Sequence, residues 1–229
     1  MRLLGIETAT MVGSVAVVDQ VDVLASYLWN IESAHSEHLM AAIKQILADA
    51  SLSLQKLDGV AVSIGPGSFT GLRIGLGTAK GLCYATGLPL VAVPTLDALA
   101  SRLAFCNYQV CPMLDAKKGE VYASVYQVAG GEIERLSAPQ AISPELLAKR
   151  ISQPTVFSGR GAIVYRETIL KILREKAHFA PPDLNYPDAA AVARVGLSAI
   201  EKGEEAELFS IEPLYIRKPD AKISGQPKL

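Results

Sequence analysis

The segment SIGPGSFTGLRIGLGTAKG, from Ser63 to Gly81, decides the fold of this chain. A glycine-rich loop between a predicted strand and a predicted helix is typical of phosphate-binding sites, because the first N–H groups of a helix attract anions. Here Thr70 stands where a dinucleotide-binding fingerprint needs glycine, the Gly-Lys-Ser/Thr ending of a Walker loop is absent, and Pro66 removes a backbone donor. We therefore interpret the segment as a packing element and not as a nucleotide loop.

The helix predicted over Thr70–Thr86 tolerates several glycines, each of which costs about 1 kcal/mol relative to alanine. Its small residues fall on two stripes, Gly71–Gly75–Ala79 and Gly77–Gly81–Ala85. Small side chains allow close backbone approach. The helix is either sandwiched between its own sheet and a neighbouring helix, or it also receives a partner chain on its second face. The helix predicted over Ser36–Asp49 is its natural companion in such a surface.

Outward from this segment, the hydrophobic pattern repeats one order of elements twice. The first half is predicted to contain strands Arg2–Ile6, Gly13–Val18, Val23–Trp29, Gly59–Ile64 and Leu90–Val93, with a further helix Thr95–Ala104. The second half is predicted to contain strands Gln109–Leu114, Glu120–Val128, Glu132–Ser137 and Thr155–Ser158, and helices Pro144–Ile151, Val164–Ala177 and Ala189–Lys202. The repeat predicts an α/β fold of two similar lobes, residues 1–106 and 107–229, separated by a cleft. The polar tail from Pro219 is predicted to be frayed.

The composition limits the kind of protein this is. Of 229 residues, 50% are hydrophobic, and the formal net charge is -1, without the basic excess of proteins that bind nucleic acid on their own. No apolar run approaches the roughly 20 residues needed to cross a bilayer. The three cysteines, Cys83, Cys106 and Cys111, lack CxxC spacing and are interpreted as reduced thiols. The sequence therefore predicts a cytoplasmic protein without a membrane span.

Acidic residues end the first predicted strand of each half, at Glu7 and Asp115. Facing each other across the cleft, together with Thr8 and Gly159, they would be able to hold a metal–nucleotide. Because neither lobe has a recognisable phosphate loop, we favour a vestigial, emptied cleft. We expect no catalytic residue and no cofactor, with nucleotide bound only where a partner completes a site. Ser68 lies outside a GxSxG elbow, which argues against serine hydrolysis.

His35 and His38 are the candidate metal ligands, with Glu37 between them. Metal-binding helices usually place two histidines four residues apart, as in HExxH, whereas these are three apart. We therefore predict a capping or interface role for both histidines and no metal site.

The stretch SIGPGSFTGLRIGLGTAKGLCYATGLPLVAVPTLDALA resembles the signature of the TsaB (YeaZ) family. The resemblance extends to LGIETAT, GSVAVV, AHSEHLM, MLDAKKGEVYASVY, FSGRGA and EPLYIRKPDAK, and so covers nearly the whole chain. It implies a two-lobed actin-like or sugar-kinase-like (ASKHA) fold. It also implies a non-catalytic subunit of the bacterial machinery that makes threonylcarbamoyladenosine next to the anticodon of ANN-decoding tRNAs. In this family an aspartate commonly follows the first strand, where this chain has Glu7.

The same resemblance implies the partners. TsaD, the catalytic relative, transfers the threonylcarbamoyl group to tRNA; the ATPase TsaE joins the pair; a homodimer is an alternative, and tRNA is reached only through the complex. The family pairs through helices of the amino-terminal lobe. On this chain the implied interface residues are His35, His38, Leu39, Ile43, Leu47, Leu72, Arg73, Gly75, Leu76, Ala79, Lys80 and Cys83.

The residues by themselves leave two other functions open. An ATP-dependent small-molecule kinase of the same fold would use Asp115 as a base or a metal ligand. A self-associating interaction protein would have no role in tRNA modification. The kinase hypothesis predicts that the isolated chain turns over nucleotide. The hypothesis of a non-catalytic subunit that acts as a scaffold predicts no turnover.

Overall fold

Two β-sheets organise the computed structural model, which describes residues 1–30 and 35–217. The first sheet has the order β3-β2-β1-β4-β5, with β1 (Arg2–Glu7), β2 (Val12–Asp19), β3 (Val23–Asn30), β4 (Gly59–Gly65) and β5 (Leu90–Pro94). Strands β1 to β3 are antiparallel, and β1, β4 and β5 are parallel. The parallel strands are covered on both faces and accordingly have nearly continuous apolar sequences.

The second sheet repeats this arrangement. Its order is β10-β7-β6-β11-β12, and β8 pairs with β6 and β9. The strands are β6 (Gln109–Asp115), β7 (Val121–Ala123), β8 (Tyr126–Ala129), β9 (Glu132–Arg135), β10 (Gln140–Ile142), β11 (Thr155–Ser158) and β12 (Ala177–Phe179). Strands β6, β11 and β12 are parallel, like their counterparts β1, β4 and β5. The predicted duplication into two α/β lobes is therefore confirmed.

Seven α-helices cover the sheets within the described residues. They are α1 (His35–Asp49), α2 (Phe69–Thr86), α3 (Thr95–Ser101), α4 (Pro144–Arg150), α5 (Arg160–Val164), α6 (Arg166–Leu173) and α7 (Ala189–Glu201). None of the helices in this part of the chain is long and apolar enough to cross a membrane. The tail from Pro219, predicted to be frayed, lies outside the described residues.

Three predicted elements of the second lobe exist in the structure but differ from the prediction in their extent, division or pairing. The predicted strand Glu120–Val128 is divided into β7 and β8, because Ser124 and Val125 hydrogen-bond instead with Ser137. The strand predicted over Glu132–Ser137 pairs only with β8, and the sheet edge is taken by β10, which was not predicted. The helix predicted over Val164–Ala177 begins earlier as α5 and α6, and its end forms a 3-10 turn followed by β12.

Helix α7 corrects the predicted lobe boundaries. It belongs to the second half of the sequence, yet Ala189, Val192 and Leu197 pack against Leu3 and Val91 of the first sheet. A Cβ atom at Gly5 would lie 2.0 Å from the carbonyl oxygen of Ala189, so glycine is needed for this close approach. Since α1 and α2 cover one face of the first sheet, the alanine-rich α7 covers the other. The amino-terminal lobe therefore contains a helix from the predicted region 107–229.

Helix α3 joins the two lobes. Leu96 and Leu99 pack against Val110, Leu114 and Tyr126 of the second lobe in one buried cluster. The hydroxyl of Tyr126 donates to Asp97 at 2.6 Å, and Arg135 forms an ion pair with the same carboxylate. The two lobes are therefore in direct contact along this helix.

Candidate functional site

Glu7, at the end of β1, is fully buried in the first lobe. Its Oε1 accepts a hydrogen bond from the N–H of Ala9 at 2.5 Å, whereas Oε2 has no hydrogen-bond partner among the described residues. Burial raises the pKa of Glu7 to about 7, and the Ala9 hydrogen bond opposes this only in part. The side chain is therefore an enclosed acid that is mostly protonated below pH 7, and it does not face solvent.

The other residues of the predicted cleft do not form an open site with Glu7. Thr8 is fully buried, and its hydroxyl donates to the carbonyl oxygen of Gly71 at 2.8 Å. Gly159 is buried as well, and a Cβ atom there would lie 2.3 Å from the Met113 carbonyl oxygen. Only Asp115 reaches solvent, where it pairs with Lys117 at 3.0 Å. The prediction of one cleft lined by these four residues is corrected accordingly.

The glycine loop before α2 packs against the turn after β1. The Ser68 N–H donates to the Ala9 carbonyl oxygen at 2.7 Å, and a Cβ atom at Gly67 would lie 2.4 Å from that same oxygen. The Ser68 hydroxyl caps α2 by accepting a hydrogen bond from the Gly71 N–H at 3.3 Å. The Ser68 N–H is thus already used within the chain, which supports the interpretation as a packing element.

The two small-residue stripes of α2 have different surroundings. A Cβ atom at Gly71 would lie 2.1 Å from the Thr8 carbonyl oxygen, and one at Gly75 would lie 2.2 Å from Thr8 Oγ1. At Gly77 and Gly81, by contrast, no described atom outside the helix's own backbone lies within 4 Å of the position that a Cβ would take, and both residues are exposed. The first stripe therefore holds α2 against its own lobe, and the second faces outward.

This geometry corrects the predicted interface. Eight of the predicted residues are buried within the first lobe: Leu39, Ile43, Leu47, Leu72, Gly75, Leu76, Ala79 and Cys83. The apolar side of a helix on a sheet faces the sheet, so these residues form the core and not a surface. The remaining four keep exposed surface: His35, His38, Arg73 and Lys80. A surface built from α1 and α2 must use the opposite sides of both helices.

His35 joins three elements at the start of α1. The Trp29 indole N–H donates to His35 Nδ1 at 3.2 Å, and His35 Nε2 lies 2.8 Å from the Thr10 carbonyl oxygen. Because an indole N–H only donates, Nδ1 accepts and Nε2 carries the proton that it donates to Thr10. Among residues 1–30 and 35–217, no three His, Cys, Asp or Glu side chains lie close enough to hold a metal ion.

His35→Ala is expected to lower the free energy of unfolding by about 1–2 kcal/mol, because it leaves the partly buried Trp29 N–H without its acceptor. Urea unfolding followed through Trp29, the single tryptophan, measures this directly. His38→Ala is the matched control: His38 lines an open groove of about 320 Å³ beside Tyr27 and Trp29, and its replacement is expected to change stability by less than about 0.5 kcal/mol. Equal losses in the two variants would contradict the role assigned to His35.

A segment that the sequence reasoning missed, residues 206–217, runs along α2; we call it the strap. The Ala206 N–H donates to the Leu90 carbonyl oxygen at 2.8 Å, and the Leu214 N–H donates to that of Ile64 at 2.7 Å. Between these anchors, Leu208 and Ile211 pack against the core of the first lobe. Apolar residues spaced along an otherwise polar tail were the available signal.

Aromatic side chains of the strap contact the outer part of α2. The ring of Tyr215 lies 5.2 Å from that of Phe69, and its hydroxyl accepts a hydrogen bond from Arg73 Nε at 3.1 Å. Phe209 lies 6.2 Å from Tyr84, and these two rings are 77% and 74% exposed. The outward side of α2 is therefore a composite surface of small residues bordered by exposed aromatic rings.

Comparisons with a family model, with curated relatives and with solved structures agree with one another. The model of the TsaD family, described as tRNA N6-adenosine threonylcarbamoyltransferase, matches residues 23–225. The tRNA threonylcarbamoyladenosine biosynthesis protein TsaB of Escherichia coli is 35% identical, over 95% of each chain, and that of Bacillus subtilis is 28% identical, over 96% of each chain. The solved structure of YeaZ from Pseudomonas aeruginosa superimposes with a TM-score of 0.81 at 28% identity, over 93% of this chain and 99% of that one. A ROK hexokinase from Thermus thermophilus, 14% identical with a TM-score of 0.50 over 88% of this chain and all of that one, shares the ASKHA-type fold.

Proposed function

Because the chain belongs to the TsaB family, within the wider group that the TsaD family model describes, we propose that it is the non-catalytic subunit of the threonylcarbamoyladenosine machinery. It activates TsaD by pairing with it, and the pair recruits the ATPase TsaE for transfer to the adenosine next to the anticodon of ANN-decoding tRNAs. A homodimer of this chain would use the same surface and would therefore compete with pairing to TsaD.

The observation that carries this proposal is the outward side of α2. Gly77 and Gly81 leave room for another helix to approach closely, since no other segment among residues 1–30 and 35–217 comes within 4 Å of a Cβ at either position. Each glycine costs about 1 kcal/mol of helix stability that nothing inside the lobe recovers. Tyr84 and Phe209 border this strip with exposed rings, and aromatic residues are enriched at the energetic centres of interfaces. A helix of TsaD is the partner proposed for this strip.

The enclosed position of Glu7 supports a role without chemistry. A carboxyl group that acts as a base or holds a metal–nucleotide must reach the reacting groups, whereas Glu7 is fully buried. The chain is therefore proposed to hold no nucleotide by itself, and any nucleotide site is completed by the partner. Isothermal titration of the isolated chain with Mg-ATP is expected to give no heat of binding. Micromolar binding or turnover would instead favour the kinase alternative.

Gly77→Gln/Gly81→Gln is expected to weaken pairing with TsaD at least tenfold, roughly the effect of losing 1.4 kcal/mol, and to reduce tRNA modification in parallel. The isolated variant should remain folded, because glutamine has a higher helix propensity than glycine and its Cβ meets no other segment of the described chain within 4 Å. Sedimentation of mixtures with TsaD measures pairing, and circular dichroism checks the fold.

Ser198→Gln, on the exposed side of α7, is the control for adding the same side chain elsewhere on the surface. It should pair and support modification like the wild type. A folded Gly77→Gln/Gly81→Gln variant with wild-type pairing would rule out docking through α2.

A further inference from the structure

We propose that Arg73 is a positioning residue, which holds the strap along α2 so that the strap forms one wall of the surface on which TsaD docks. The inference rests on the function proposed above and adds to it a reason why this surface is ordered before the partner arrives. The family resemblance implies that Arg73 belongs to the interface. Arg73 acts there indirectly, through the strap.

The outward face of α2 carries a row of exposed residues, Arg73, Gly77, Gly81 and Tyr84. Because they are spaced three or four residues apart, they lie on one side of the helix. Arg73 stands at one end of the row and Tyr84 at the other, about 16 Å away along the helix axis. The two glycines between them have no side chain, so the row is a shallow strip between two larger residues.

The strap reaches both ends of this strip. At the Arg73 end, the ring of Tyr215 lies 5.2 Å from that of Phe69. At the Tyr84 end, the ring of Phe209 lies 6.2 Å from that of Tyr84. Since one ring of each pair belongs to the strap, the strap has to be in place for the docking surface to be complete.

Few backbone contacts hold the strap in place. Among the described residues, its backbone hydrogen bonds to the first lobe are those from Ala206 to Leu90 and from Leu214 to Ile64. Residues 206–217 form neither a helix nor a strand, so no regular hydrogen-bond ladder orders them. Segments with few backbone hydrogen bonds open locally more easily than the core does. Side-chain contacts therefore contribute to keeping the strap on α2.

Arg73 supplies such a contact. Its Nε donates a hydrogen bond to the Tyr215 hydroxyl at 3.1 Å, and its guanidinium carbon lies 3.8 Å from the centre of the Phe69 ring. The guanidinium is thus stacked on a side chain of α2 and bonded to a side chain of the strap. Lys80 Nζ donates to the Phe209 carbonyl oxygen at 3.4 Å, so both charged residues of α2 contact the strap.

A double-mutant cycle of Arg73→Gln and Tyr215→Phe separates positioning from direct contact with TsaD. Each single variant lacks the hydrogen bond between the two side chains, and each is expected to weaken pairing about fivefold. Because that bond is already absent, the double variant is expected to pair no more weakly than Arg73→Gln. Independent contacts of the two side chains with TsaD would instead give a loss of about 25-fold and would overturn the inference. Wild-type pairing in both single variants would also overturn it.

Hydrogen exchange of the isolated chain reports on the strap without TsaD. The Leu214 amide is expected to exchange about fivefold faster in both single variants, while the urea unfolding midpoint stays at its wild-type value. Arg166→Gln is the matched control, because Arg166 is stacked on Phe179 at 4.1 Å in the second lobe. It should leave both pairing and the exchange of Leu214 unchanged.

The failure of this inference is distinguishable from failure of the proposed function. If the wild-type chain did not pair with TsaD, the proposed function would be refuted before any variant was mixed. An unchanged exchange rate of Leu214 in folded Arg73→Gln would overturn the positioning role of Arg73, even if pairing were weakened.

Discussion

Gly71→Ala is expected to lower the free energy of unfolding by about 3 kcal/mol, the effect of forcing an extra methyl group into a filled space. The new Cβ would lie 2.1 Å from the Thr8 carbonyl oxygen, which is a main-chain atom and cannot rotate away. The Thr8 hydroxyl also donates to the Gly71 carbonyl oxygen, so moving α2 outward would break this hydrogen bond. Urea denaturation of the isolated chain gives the change in free energy.

Gly77→Ala tests the same chemical change on the other side of the same helix. Its Cβ meets no neighbouring segment within 4 Å in the part of the chain that the structure describes, so the gain in helix propensity is expected to raise stability by about 0.5–1 kcal/mol. Opposite signs for Gly71→Ala and Gly77→Ala would confirm that only the inner stripe is packed within the lobe. A Gly71→Ala variant as stable as the wild type would contradict the close packing of α2 against Thr8.

Glu7→Gln is expected to remove the part of the pH dependence of folding stability that comes from the Glu7 carboxyl group. The pKa of Glu7 is raised from 4.5 to about 7 in the folded chain, so folding favours the protonated acid. Its stabilising contribution is complete below about pH 4.5 and is lost as the pH rises to about 7. Between pH 4 and pH 9, the stability of Glu7→Gln relative to the wild type is therefore expected to increase by about 3 kcal/mol.

Asp115→Asn provides the opposite case for comparison. The pKa of Asp115 is lowered in the folded chain, so its contribution is present above its ordinary pKa and is lost as the pH falls. Asp115→Asn should thus lose stability relative to the wild type at neutral pH and regain it in acid.

If the relative stability of Glu7→Gln did not change with pH, the Glu7 carboxyl would have to be ionised and solvated in the folded chain.

The repeated order of strands and helices could be predicted from the sequence, because each lobe has its own alternation of apolar strands and amphipathic helices. The starts of α2 and α4 were also predicted to within one residue, since Ser68 and Ser143 cap them with side-chain hydrogen bonds that depend only on local sequence. The second lobe was predicted less well. Its strands β10 and β12 have only three residues each, too few to carry a periodic pattern.

The position of the interface on α1 and α2 could not be predicted from the sequence in the same way. Leu72 and Leu76 were assigned to an interface on the family resemblance. The apolar residues of α2 lie on more than one side, so the sequence does not state which side meets the sheet. The strap and α7 were likewise placed in the second lobe because they follow it in the chain. Their contacts with Ile64 and Leu3 join residues that are far apart in sequence, and such contacts depend on the assembled sheet.

The sequence by itself determined that the segment from Ser63 to Gly81 is a strand, a tight loop and a glycine-rich helix, because these depend on local propensity, capping and the spacing of apolar residues. Only the tertiary structure decided that Gly71 and Gly75 face Thr8 while Gly77 and Gly81 face outward. It also decided that Glu7 is enclosed, that Asp115 is partly buried and that Lys117 is exposed. The physical reason is that burial is a property of the space around a residue, and that space is filled by segments that are distant in the chain.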